Sequence, residues 1–255
     1  MDKKIVFIFG CQRSGTTALL KSLGGLGSVK AFPEARSTLC SKDVRQGLKL
    51  NPLDEVEDKV RSVSEDTVII KPLVQSHYAA DIMDFFAGSS SAIWMFRNYA
   101  DVVASMLVKW PGIDKNSHLL PLFKNNKTSN MGFRDAYPAE VVEKAEILYE
   151  SNPTKEEVCG MFWYARNSLY FKQRLSERKR VFLVGYDQFI SQPPVSERLL
   201  KNVGIKIREG FVSENFNSNS FGKGEQVKNR IRQSIKEDLD SMYQRLVSES
   251  DMNHA

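Results

Sequence analysis

Gly10-Cys11-Gln12-Arg13-Ser14-Gly15-Thr16-Thr17 carries the spacing of a phosphate-binding loop, two glycines with four residues between them and a hydroxyl residue behind. The glycines let successive backbone N–H groups point at one spot, and a helix starting just after them adds the positive end of its dipole. Thr16 stands where a nucleoside triphosphatase needs the lysine that spans the β- and γ-phosphates. The apolar run Ala92-Ile93-Trp94-Met95-Phe96 ends in Arg97-Asn98, not in the aspartate that would hold magnesium. Both departures argue against triphosphate chemistry. The cation of the loop is Arg13. Arg97 and, eight positions on, Ser105 offer a guanidinium fork and a hydroxyl that can meet one phosphate from two directions. The plainer reading pairs Arg97 with Asp101 across one helical turn and leaves Ser105 an ordinary helix residue.

Apolar runs at about 4–9, 67–71, 92–96 and 181–185, with a short strand around Val29 to Phe32, alternate with helix-periodic segments. This alternation predicts an α/β fold, one domain over residues 1–255 with a mostly parallel central sheet flanked by helices. Asp54 to Val63 and Ala80 to Phe86 read as crossover helices. Thr154-Lys155-Glu156-Glu157 is a capping-box start for a helix that places Val158, Phe162, Ala165 and Leu169 on one face. Pro193-Pro194 precedes a helix ending at Gly204, and Gln226 to Val247 reads as a long terminal helix.

Gln12-Arg13-Ser14-Gly15-Thr16-Thr17 resembles the 5′-phosphosulfate loop of sulfotransferases that use 3′-phosphoadenosine-5′-phosphosulfate (PAPS), and Arg97 with Ser105 resembles the 3′-phosphate motif of that family. The pattern is closest to the carbohydrate and tyrosylprotein branches, in a bacterial or phage-like member. The resemblance implies a P-loop-like fold and transfer of the sulfuryl group from PAPS to an acceptor hydroxyl (carbohydrate, peptide tyrosine or small molecule), with 3′-phosphoadenosine-5′-phosphate as product. Lys71, closing Val68-Ile69-Ile70, matches the strand-end lysine that neutralises the transferring group, although a lone strand-end lysine is usually just solvated. Tyr186, after the strand Val181 to Val184, matches the tyrosine whose ring lies near the adenine; a buried aromatic is the alternative. Such transfer needs a group to accept the acceptor proton. Glu34, in Ala31-Phe32-Pro33-Glu34-Ala35-Arg36, occupies the place of the family's catalytic glutamate, with His77 and His118 as competing bases. Ser220 and Lys223 match the late loop that closes over the cofactor, though the family's usual late motif is not clearly reproduced. The expected site is thus catalytic Glu34, Arg13 and Lys71, and cofactor-binding Gln12, Arg13, Ser14, Gly15, Thr16, Thr17, Arg97, Ser105, Tyr186, Ser220 and Lys223. No metal is expected, because the sulfuryl group carries little net charge and fixed cations suffice.

Periodicity fails between Trp110 and Pro138, and residues 111–138 read as an acceptor-binding insertion or lid in which Trp110, His118, Arg134 and Tyr137 stand out. A net charge of +5 suits a multiply anionic cofactor, while basic residues spread along the chain without a recognised module argue against nucleic acid. No stretch is apolar for the length that spans a membrane. Met1 to Lys4 lead directly into the first strand, and the three cysteines have no metal spacing; both features point to a reducing, cytoplasmic setting. Two other readings share parts of this pattern, a P-loop nucleotide or nucleoside kinase and a catalytically silent PAPS-binding module.

Overall fold

Alternate side chains of the first strand feed two separate cores, which is why it reads as an unbroken apolar run. Ile5, Phe7 and Phe9 of β1 (Lys4–Gly10) join one cluster, and Val6 and Ile8 join the other. The computed structural model describes residues 3–34, 37–43, 47–124, 134–207, 211, 216 and 221–254. After β1 come α1 (Thr16–Gly24), β2 (Val29–Phe32), the antiparallel hairpin β3 (Cys40–Asp43) and β4 (Gly47–Leu50), α2 (Leu53–Ser62) and β5 (Thr67–Ile70). A 3-10 turn, Leu73–Tyr78, leads into α3 (Ala79–Phe85), β6 (Ser90–Phe96) and α4 (Tyr99–Lys109). The second half holds the short helices α5 (Lys115–His118) and α6 (Leu120–Phe123), then α7 (Ala139–Glu150), α8 (Lys155–Lys172), β7 (Val181–Gly185), α9 (Tyr186–Ser191), α10 (Pro193–Asn202) and a terminal helix, Gln233–His254.

Five strands form one sheet in the order β2-β5-β1-β6-β7, every pair parallel. The chain runs to one side of β1 for β2 and β5, then to the other for β6 and β7. Such a reversal opens a crevice at the carboxyl ends of the two strands that flank it. Gly10 and Phe96 end those strands, so the loop after β1 and the Arg97 motif after β6 face each other across the crevice.

The expected strands all form, and the capping box at Thr154 is present with both of its hydrogen bonds. Four features differ from the sequence expectation. The β3–β4 hairpin and α7 were not expected. Residues 111–138 are not irregular throughout, since α5 and α6 form there; Leu119 between them and Leu122 and Phe123 of α6 are buried, as are Ile113 and Tyr137. The terminal helix starts at Gln233, after a separate turn at Glu225–Lys228. The start of α8 sets that break: Glu157 accepts the backbone N–H and guanidinium of Arg232, and Glu156 pairs with Arg230 at 3.0 Å, which bends the chain between the two helical pieces.

Candidate active site

The loop after β1 needs its glycines for two different reasons. At Gly10, φ +129, a Cβ would lie 2.2 Å from the Met95 carbonyl oxygen of the neighbouring strand; at Gly15, φ +88, it would lie 2.0 Å from Cδ2 of Tyr186. The Tyr186 ring therefore packs directly against Gly15 of the loop. Arg13 is left-handed too, φ +69, and its exposed side chain donates from Nε to Ser105 Oγ at 2.9 Å. Gln12 Oε1 and Ser14 Oγ are buried without a hydrogen-bond partner among the described residues. Burying polar atoms unpaired is costly, so both are suited to a ligand. Thr16 and Thr17 open α1, whose first turn carries no acidic residue to repel an anion.

Pairing of β2 with β5 builds the second part of the site. Phe32 stands opposite Ile70, and Lys71 N donates to the Phe32 carbonyl at 3.1 Å, which carries the register one step past the strands. Glu34 and Lys71 consequently leave the sheet side by side. Lys71 Nζ lies 3.8 Å from Glu34 Oε2 and 3.4 Å from Thr17 Oγ1. Glu34 also accepts the Val74 amide through Oε1. Burial raises the Glu34 carboxyl above its ordinary range, opposed by the Lys71 and Arg166 charges and the Val74 bond. Burial likewise lowers the Lys71 amine, opposed by Glu34.

Arg97, at the end of β6, is 6% exposed, and Trp163 Nε1 donates to its carbonyl at 3.0 Å. Its guanidinium meets Asp101 at 3.1 Å, lies 3.9 Å from Asp187 and stands over the Tyr186 ring, 5.0 Å from the centroid. Pairing with Asp101 is the plainer of the two readings of this motif, and Ser105 receives Arg13. Asp101 does more than neutralise Arg97: it accepts the amides of Gly222 at 3.2 Å and Gly224 at 2.9 Å. The late loop is thereby tied beside Arg97, and Phe221 meets Tyr186 edge to face at 6.0 Å between centroids. Lys223 on that loop is exposed, while Ser220 and Arg36 lie outside the described residues.

Of the competing bases, His77 lies on the turn that carries Val74, and His118 lies in the segment after α4. His77 is pushed down to about 3 by burial and by the Arg166 charge, which makes it a poor proton acceptor. His118 lies edge-on to Phe162 and near Trp110, and it shares Ser117 with Asp114 in the cap of α5. Tyr137 is buried and bonded to Arg166, and Arg134 is exposed. Sequence reasoning passed over Asp101 as a loop anchor, Phe221, the Val74 amide and Arg166. A weak signal existed for Asp101, which follows Arg97 by one helical turn. No local signal marks a backbone amide or a mid-helix arginine.

A parallel sheet with a strand–loop–helix unit at its switch point, Lys71 and Glu34 beside that loop and Thr16 in place of a triphosphatase lysine defines a P-loop-like α/β fold. The sulfotransferase domain model matches residues 3–243, and the chain belongs to the sulfotransferase family. Among solved structures it is similar to the sulfotransferase domain from the Synechococcus PCC 7002 olefin synthase, at 13% identity and TM-score 0.55, over 99% of this chain and 95% of that one. It is also similar to the sulfotransferase domain from the curacin biosynthetic pathway, at 14% identity and TM-score 0.54, over 97% of each chain. A sulfotransferase from Alicyclobacillus acidocaldarius matches at 14% identity and TM-score 0.51, over 99% of this chain and 96% of that one. At such identities the likeness is one of fold. No curated protein matches the chain in sequence. Among the described residues, no helix is long and apolar enough to cross a membrane, and no group of three His, Cys, Asp or Glu is placed to hold a metal ion.

Proposed function

We propose that the chain transfers the sulfuryl group of PAPS to an acceptor hydroxyl, of a carbohydrate or tyrosyl-like substrate, with Glu34 as general base. The observation that carries this reading is the meeting of Glu34, Lys71 and Thr17 at the mouth of the loop after β1. These groups come from three separate elements. Together they juxtapose a proton acceptor, a cation and the start of an anion-binding helix.

The unpartnered Gln12 and Ser14 oxygens, the Tyr186 ring on Gly15 and the Arg97 guanidinium over that ring fit the donor nucleotide. Gln12 to Thr17 would hold its 5′ side, Arg97 and Ser105 its 3′-phosphate, and Tyr186 its adenine, with Ser220 and Lys223 closing over it. When bound, PAPS supplies the sulfuryl group and leaves as the bisphosphate. Glu34 takes the proton of the acceptor hydroxyl. Lys71, Arg13 and the loop N–H groups face the charge that grows on the leaving side, and one such preorganised donor is worth about 2.7–4 kcal/mol of barrier. Fixed cations do this work, so no metal is invoked. Residues 111–138, inserted between α4 and α7, are assigned to the acceptor side. The three cysteines are free, in keeping with a reducing, cytoplasmic setting.

Titration calorimetry with 3′-phosphoadenosine-5′-phosphate, beside ATP with and without magnesium, tests the donor class. Tight binding of the bisphosphate supports the reading, and magnesium-dependent ATP binding with no response to the bisphosphate returns the chain to the kinases. Glu34→Gln should then abolish turnover of PAPS while leaving bisphosphate affinity intact. Retained turnover would remove Glu34 from the role of base.

A further inference from the structure

Arg166, midway along α8, is fully buried. Its bonds run to backbone carbonyls: Val74 at 3.3 Å, Gly10 at 3.4 Å and Leu73. It also bonds the Tyr137 hydroxyl. Taking a guanidinium out of water costs several kcal/mol, about what a paired carboxylate would have to offset. An apolar residue would pack the middle of α8 at lower cost, so what the charge grips bears on its use. Leu73 and Val74 open the 3-10 turn that follows Lys71, and Gly10 opens the phosphate loop. Ser76 stitches the same two segments, since Gly10 N donates to its Oγ at 3.2 Å and that hydroxyl bonds the Leu73 carbonyl at 2.8 Å. Gln173, which caps the end of α8 two turns further on, donates to the Ser76 carbonyl at 2.8 Å and accepts the Ala80 amide at 2.9 Å. One helix therefore grips the turn at both ends.

We infer that Arg166 is a positioning residue for sulfuryl transfer: its grip on the Leu73 and Val74 carbonyls holds the Val74 amide on Glu34, and its grip on Gly10 sets that carboxylate in register with the phosphate loop. The inference rests on reading Glu34 as the base. Glu34 is faced by Lys71 from the end of β5, by the Val74 amide from the turn, by Cys40 from β3 and by Arg166 from α8. Arg166 is itself faced by Cys11, His77 and Tyr137, all of which lack a negative charge at neutral pH. The guanidinium thus adds positive charge near the carboxylate without being neutralised by those three neighbours.

NMR on isotope-labelled full-length protein follows the titration of the Glu34 carboxyl, assigned by its loss in Glu34→Gln, together with the Val74 amide. In the wild type the Val74 amide should shift in step with Glu34. In Arg166→Gln the Glu34 titration should move to higher pH and the Val74 amide should cease to follow it. Arg166→Lys keeps the charge without the planar fork; its Glu34 titration should stay near that of the wild type while coupling to Val74 weakens. Turnover of PAPS over a panel of glucosamine, a tyrosine peptide and para-nitrophenol should fall about a hundredfold in Arg166→Lys, the scale of a misplaced reacting group. An unmoved Glu34 titration and intact Val74 coupling in Arg166→Gln would overturn the inference; should that variant fail to fold, intact coupling and turnover in Arg166→Lys would do so. If Glu34→Gln turns over like the wild type, the reading of the base fails instead, and the NMR coupling judges the positioning on its own.

Discussion

Arg13 Nε lies 2.9 Å from Ser105 Oγ, joining the phosphate loop to the second turn of α4 across 92 positions of sequence. Ser105 is thereby held by the loop cation, while Arg97 is held by Asp101. Ser105→Ala should weaken bisphosphate binding roughly tenfold, about 1.5 kcal/mol for a hydrogen bond to a charged group, with both the loop cation and the ligand losing a partner. Arg13→Ala should lower kcat about a hundredfold to a thousandfold. Calorimetry on the first variant and single-turnover kinetics on the second separate binding from chemistry. Equal loss of affinity and unchanged kcat in both would place Arg13 in binding alone.

The pH profile of kcat/KM should be bell-shaped and narrower than free glutamate and lysine would make it. Burial raises Glu34, so the base becomes competent only above the ordinary glutamate value of 4.5; burial lowers Lys71, so the cation is lost below the ordinary lysine value of 10.5. Lys71→Arg should push the alkaline limb out of range, since a guanidinium does not deprotonate in this window. Stability carries the same signs. The folded state holds the Glu34 proton more tightly than the unfolded chain, so that group's contribution falls as pH rises from 4.5 through its raised value. Lys71 works oppositely, and its contribution rises as pH climbs through its lowered value toward 10.5. Denaturant melts of Glu34→Gln and Lys71→Met against the wild type across pH would show both slopes.

Asp101 is 6% exposed and serves three donors, the Arg97 guanidinium and the amides of Gly222 and Gly224. Asp101→Ala leaves a buried guanidinium without its near partner and should cost about 3–5 kcal/mol of stability. It should also release the late loop. Hydrogen exchange at the Gly222 and Gly224 amides reads that release directly, and unchanged protection there would dissociate the loop from Asp101.

Gly15→Ala should abolish bisphosphate binding, because a Cβ would enter the Tyr186 ring and the backbone is left-handed at φ +88. Adding Tyr186→Ala removes the clash but not the backbone strain of about 1–3 kcal/mol. The double variant should therefore recover folding in part, as measured by its melting temperature, without recovering wild-type affinity. Full recovery would mean that the ring alone imposes the glycine.

What the sequence determined by itself is local in origin. The β1–loop–α1 unit, the strand ends that carry Lys71 and Arg97, and the capping box at Thr154 each depend on residues within a few positions of one another, so spacing and periodicity reveal them. The position of Glu34 was legible because only Pro33 separates it from the end of β2, whose register with β5 then sets it beside Lys71. The tertiary structure decided the partners. Whether Ser105 would meet Arg97 or Arg13, whether Asp101 would also hold the late loop, and where the terminal helix would break all depend on segments distant in sequence that meet only after the sheet has closed. Arg166 is the extreme case. Nothing near it in sequence marks it as more than one arginine in an apolar helix, and its meaning comes from three carbonyls that the fold delivers from β1 and from the turn after β5. Spacing rules report periodic side-chain placement along one element, whereas a guanidinium bonding backbone carbonyls of other elements leaves no periodic trace.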